Sequence, residues 1–217
     1  MVEIIPQKYR IALKFSSLYY PFTYPEILNS LGKREYAILV PPQPIKSGAR
    51  IYISGHVATK SGCFIELNEA KRIIACESDK ADSAISSLNE IIDLARADFK
   101  LDISKELDYC ELSGAVVASD GDPTNIIKRF SNDTYRIFDD VLGADTACGS
   151  IRIIPKNGTQ TDRKWFDITI SEKVPSANKS YYVEFVFRNG NDFESVANFT
   201  SRLAGTICAI IDKIGGE

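Results

Sequence analysis

Two stretches of this chain carry apolar residues at a helical period, and each closes a series of segments in which apolar and polar residues alternate singly. The first stripe is Ala81, Ala84, Ile85, Leu88, Ile91, Ile92 and Ala95; the second is Phe193, Val196, Phe199, Leu203, Ile207, Ile210, Ile211 and Ile214. Alternation at period two places every second side chain on one face of a strand, so the intervening segments read as half-buried strands. Such strands bury their apolar faces beneath the chain's own helices. The expected class is α+β with an antiparallel sheet.

KYRIALKF, residues 8–15, sets Tyr9, Ile11, Leu13 and Phe15 on one side of a strand and Lys8, Arg10, Ala12 and Lys14 on the other. Thr23 with Glu26 forms a capping box, Pro25 fits a first helical turn and Gly32 supplies a stop, which predicts a short helix. REYAILV, ARIYISGHV and CFIELNEAKRIIACES read as strands, the last a hairpin turning near Asn68 and Glu69. After the first long helix the order begins again. YCELSGAVVA is a strand, and Asp122-Pro123 starts a helix that continues through YRIFDDVLG. CGSIRIIP, WFDITIS and SYYVEFVFR are strands marked by turns at Asn157-Gly158 and Asn189-Gly190, and Asp192 caps the final helix, which Gly215-Gly216 stops.

The segments YPEILNSLG (24–32) and YRIFDDVLG (135–143) hold the same place in the two series, and Tyr24 matches Tyr135, Leu31 matches Leu142 and Gly32 matches Gly143. The chain therefore reads as a duplicated β-α-β(3–4)-α unit, residues 1–104 and 105–217, packed as two units or as a single domain. One curved antiparallel sheet is expected, with the long helices on one face and the other face open. That order of elements, over nearly the entire chain, resembles the TATA-binding-protein-like fold, a saddle whose convex side carries the helices. In that family the concave face binds a widened DNA minor groove, with phenylalanine pairs wedged between base steps. No such wedge pair is placed here, so the resemblance implies the architecture alone.

Composition narrows the function classes. The net charge of −3 is unevenly spread: residues 1–78 are basic by four charges and residues 79–145 acidic by eight. That balance does not favour nonspecific nucleic-acid binding, which needs a basic field, although a single basic face is compatible with it. No apolar run reaches the roughly 20 residues of a membrane span, and the N-terminus lacks a signal peptide's apolar core, so a cytoplasmic, soluble protein is expected. The five cysteines, Cys63, Cys76, Cys110, Cys148 and Cys208, have neither metal-site nor disulfide-framework spacing and read as buried thiols. No metal or cofactor motif is present. Asp93, Asp98, Asp102, Asp139 and Asp140 read as solvated carboxylates, and Trp165 as core or rim packing.

The candidate site follows from the strand faces. Opposite the apolar sides stand Arg10, Lys14, Tyr52, His56, Arg152, Tyr182 and Arg188. Arginines supply paired planar donors to carboxylate or phosphate, and tyrosines add stacking area, so these residues are expected to surround an anionic small molecule or protein partner. The bland alternative is a solvated face with cross-strand ion pairs, such as Arg188 with Glu184 or Asp167. Two functional readings stand side by side. One is a noncatalytic binding or interaction module, whose edge strands offer a route to a homodimer; the other is an enzyme with a cleft between the halves that uses His56, the only histidine, with Glu184 or Asp167. Because the alternation assigns Phe185 and Ile168 to the core, Asp at either position is expected to abolish cooperative unfolding followed by circular dichroism.

Overall fold

The computed structural model describes residues 3–16, 26–39, 54–119, 138–139, 141–146, 148–173 and 180–215. Among these, nine strands form one antiparallel sheet, and four helices complete an α+β architecture. In chain order the elements are β1 (Glu3–Phe15), α1 (Glu26–Gly32), β2 (Ala37–Ile38), β3 (Ser54–Lys60), β4 (Cys63–Asn68), β5 (Ile73–Ser78), α2 (Ala81–Phe99) and α3 (Ile103–Glu106). They continue with β6 (Leu107–Ser119), β7 (Ser150–Ile153), β8 (Lys164–Glu172), β9 (Ser180–Asn189) and α4 (Phe193–Gly215). The sheet order is β2-β3-β4-β5-β1-β6-β9-β8-β7.

At the middle of the sheet, β1 pairs with β6 in a ladder from Glu3 opposite Ser119 to Phe15 opposite Leu107. The alternation expected for residues 8–15 is realised: Ile11, Leu13 and Phe15 are wholly buried, with Tyr9 nearly so. Their counterparts Ile65, Leu67, Ile74, Leu112, Val116, Ile168, Ile170, Val183 and Phe185 join the same core. β1 begins earlier than expected, at Glu3, and a bulge between Pro6 and Lys8 resets its register. The hairpin of β4 and β5 spans Cys63–Ser78 as expected. Of the described residues in REYAILV, Ala37 and Ile38 are strand, and residues 40–53 lie outside the described residues.

The bulge has a steric requirement one strand away. Gly114 lies opposite Tyr9, and a Cβ there meets the Lys8 carbonyl oxygen at 2.1 Å and Phe185 Cζ at 2.9 Å. Only glycine lets the two central strands approach this closely. Across the gap the rings of Tyr9 and Phe185 sit 6.2 Å apart.

The long helices form where the stripes placed them. α2 buries Ala84, Leu88, Ile91, Ile92 and Ala95 and contacts β5 and β1, whereas α4 buries Val196, Leu203, Ile207, Ile211 and Ile214 and contacts β6 and β9. Phe187 of β9 stacks on Phe199 of α4, with centroids 4.0 Å apart. The Asp192 carboxylate accepts the Ser195 N–H at 2.9 Å, the expected cap. The predicted caps at Thr23 and Pro25 and the helix begun by Asp122-Pro123 lie outside the described residues. No described helix is long and apolar enough to cross a membrane.

Gly114→Ala is expected to destabilise the fold by about 3 kcal/mol, since the obstructing atom is backbone. Gly205, inside α4 with nothing within 4 Å of a Cβ, is the matched control: Gly205→Ala is expected to stabilise by about 0.5–1 kcal/mol. Urea unfolding of both variants checks the contrast.

Candidate functional site

Register turns the outward residues into rows that cross the sheet. Glu77, Arg10, Ser113, Val186 and Asp167 form one row, and Ala75, Ala12, Glu111, Arg188 and Trp165 the next. Four of the seven predicted site residues, Arg10, Lys14, Tyr182 and Arg188, thus come from two strands, β1 and β9, that flank β6. Arg152 sits on the outermost described strand of one side, at β7, and His56 towards the other side, on β3. Tyr52 lies outside the described residues.

Each arginine of the set has a carboxylate partner across a strand boundary. Arg10 is bidentate to Glu66, at 2.7 and 3.1 Å. The Glu66 carboxyl is held below its usual range by that hydrogen bond. Glu77 and Glu111 also face Arg10 electrostatically, so one guanidinium is ringed by three carboxylates. Arg188 gives Nε and Nη2 to Glu111 at 2.9 and 2.5 Å, gives Nη1 to the carbonyls of Gln160 and Asp162, and lies 4.1 Å above the Tyr109 ring. Arg152 is bidentate to Asp167 at 2.9 and 2.6 Å. The cross-strand pairing expected of a solvated face is present, but Arg188 takes Glu111 of β6 rather than Glu184 or Asp167.

Lys14 differs from the arginines. Among the described residues it forms no ion pair; its ammonium donates to the Lys71 carbonyl. Its pKa is pushed below the usual lysine value first by burial and then by the Arg72 guanidinium and Lys71, with Asp108 opposing them. Asp108 is itself paired with Arg163 at 2.8 Å. The β4–β5 turn, which carries Lys71 and Arg72, therefore closes a cationic corner over the end of β1. Tyr109, opposite Lys14 in the register, links this corner to Arg188.

His56 stacks on Phe64, with centroids 5.1 Å apart, and its Nε2 lies 3.5 Å from Glu77, which also binds Lys8 at 2.7 Å. The carboxylates proposed to assist it stand elsewhere. Asp167 on β8 is six strands away and Glu184 on β9 five, roughly 29 and 24 Å at the usual strand spacing of about 4.8 Å. Among the described residues no group of three or more His, Cys, Asp or Glu side chains gathers as a metal site. Asp98 pairs with Arg34 at 2.7 Å, which holds its carboxyl at about 2. Trp165 is buried against Gly158.

Sequence reasoning named the cations of this face and missed Glu66, Glu77, Glu111 and Tyr109. Each lies on a predicted strand with outward parity, so alternation marked them as surface; the strand order that pairs them was the missing information. The chain matches no protein-family model, no curated protein and no solved structure.

The two arginine pairs differ in exposure: Arg188 and Glu111 retain 12% and 16% of their side-chain surface, whereas Arg152 retains 51%. Arg188→Ala is expected to cost about 2 kcal/mol, because it removes both side-chain hydrogen bonds that Arg188 gives to the largely buried Glu111 carboxylate. Arg152→Ala is expected to leave the unfolding midpoint where it is. Denaturant titration of the two variants side by side tests the ranking.

Proposed function

We propose that this chain is a noncatalytic interaction module that holds an anionic group or partner against the Lys14 end of its polar sheet face. The carrying observation is the cationic corner itself: Lys14 stands beside Arg72 and Lys71, and their repulsion combines with burial to depress its pKa. An anion placed there relieves that repulsion. Tyr109 and the Arg188 guanidinium above its ring add a stacking surface beside it. The anchored arginines hold the surrounding face rigid, because each planar fork is fixed by two or more hydrogen bonds.

The architecture we infer around this site is a saddle of two related units, as in the TATA-binding-protein-like fold. Strand order supports it. β1 and β6 stand together at the centre, β5, β4, β3 and β2 extend outward from β1, and β9, β8 and β7 extend outward from β6. Each unit ends in a long helix, and α2 contacts α4. On this reading both helices cover one side, and the face bearing Lys14 is the free one. A protein partner with an acidic segment suits the corner better than nucleic acid does, since the rest of the face alternates cations with Glu66, Glu77, Glu111, Glu184 and Asp167.

The test is a thermal-shift series with inorganic phosphate, citrate, a poly-glutamate peptide and short single-stranded DNA, at low and high salt. A shift from an anion that shrinks with salt and disappears in Lys14→Gln, but persists in Arg152→Gln, supports the site. An unaltered shift in Lys14→Gln overturns it. The pH dependence has a defined sign. Because the folded-state pKa of Lys14 is depressed, the unliganded protein gains stability as pH rises from that value towards the unfolded one; a bound anion removes the gain and weakens as Lys14 deprotonates.

A further inference from the structure

Two apolar surfaces of the described residues face solvent, and they differ in shape. One is a knob. Residues 138–139 and 141–142 are helical, and the Gly143 N–H closes the turn on the Asp139 carbonyl at 2.8 Å, with Gly143 at a φ of 65°. Phe138, Val141 and Leu142 on this turn are 46%, 78% and 67% exposed. Behind them the Asp139 carboxylate accepts the Thr146 N–H and hydroxyl, each at 2.7 Å, and Cys148 is buried. The turn is thus an anchored projection with its apolar side outward. The other surface is a groove of about 1120 Å³ between α4 and Ile153 of β7. Ile210 and Ile214 join Ile153 in lining it, while Gly205 and Ala209 leave the helix backbone open to close approach. A helical turn, roughly 10 Å across with its side chains and about 5.4 Å long, is of a size to enter it.

Charge names the occupant. Arg202 and Lys213 also line the groove, on one face of α4 and roughly 16 Å apart along it at the helical rise. Among the described residues Arg202 forms no ion pair; its Nε donates to the Asn198 carbonyl at 3.4 Å. A partner that suits this groove carries carboxylates beside its apolar residues. In the sequence, Asp139 and Asp140 stand between Phe138 and Val141. The chain therefore carries the complement of its own groove. The paired segment YPEILNSLG shows what such a face does when covered: Ile27 and Leu31, which match Phe138 and Leu142, are wholly buried, and α1 contacts β2 and β3.

We propose that two copies of this chain pair about a two-fold axis, each seating its Phe138, Val141 and Leu142 in the α4–β7 groove of the other. Exchange about a two-fold axis covers both surfaces of both copies and leaves none over to recruit a third. Three apolar anchors per contact make a small interface, so the dimer is weak, with a dissociation constant on the order of 10–100 μM. Asp139 and Asp140 approach Arg202 and Lys213 in the pair, which makes association sensitive to salt. The groove shares no residue with the Lys14 corner.

The experiment is sedimentation equilibrium of the full chain and of two variants, Leu142→Asp in the knob and Ala209→Glu in the groove. Both positions are exposed, so each variant is expected to keep the thermal midpoint of the parent chain. Should Leu142→Asp lower it, Val141→Asp, at the most exposed of the three positions, serves instead. The parent is expected to dimerise, less tightly as salt rises. Each variant alone is expected to associate at least about tenfold more weakly. Mixed together they are expected to regain part of the association, because the intact knob of Ala209→Glu meets the intact groove of Leu142→Asp. Three results overturn the proposal: a parent chain that stays monomeric up to about 1 mM, a dimer that either variant leaves as tight as before, or a mixture that associates no better than the variants do separately.

Discussion

The structure depends on the antiparallel seam between β1 and β6. Each of these strands carries half of the sheet on its other edge, β5 to β2 beyond β1 and β9 to β7 beyond β6. Without the seam, two smaller sheets present long unpaired edges, and the core loses the continuity from Leu13 to Leu112 to Val183. The close approach at Gly114, where the Lys8 carbonyl occupies the space of a side chain, is the tightest steric condition on that seam.

The seam also organises the polar side. Because the two halves join edge to edge, Arg10 from one half comes to face Glu111 from the other, and Glu111 in turn holds Arg188. The face is a lattice in which charges of opposite sign from strands distant in sequence compensate one another. Against such a background Lys14 differs, since its ammonium bonds the Lys71 carbonyl and, among the described residues, no carboxylate. The half-buried pairs around it gain from a setting less polar than bulk water, while the exposed pair of Arg152 and Asp167 is more strongly screened.

Much of this was legible in the amino-acid sequence, for reasons specific to each element. Period two in residues 8–15 and 180–188 identified which side chains enter the core, because side-chain direction in a strand is fixed by backbone geometry alone. The stripes of α2 and α4 were equally plain, since one apolar face of a long helix leaves a periodic trace. The bulge after Pro6 was not legible, as nothing in PQKYR distinguishes a bulged strand from a regular one until its partner is known. The same holds for the candidate site. Alternation marked Arg10 and Arg188 as outward-facing, but their carboxylates lie 56 and 77 residues away in sequence, and only strand order brings them together.

The pairing of β1 with β6 has a consequence for biosynthesis. Partners in that ladder are separated by 92 residues, from Phe15 to Leu107, and by as many as 116, from Glu3 to Ser119. A chain that leaves the ribosome N-terminus first exposes β1 well before β6 is made, and in that interval β1 can close against β5 only. Its other edge stays open to whatever strand is nearby, a neighbouring nascent copy included. Closing so large a loop is slow. The step that joins the two halves is thus the one most exposed to mispairing, and the time taken to translate residues 79–106, which carry no strand, adds to the interval in which that edge waits.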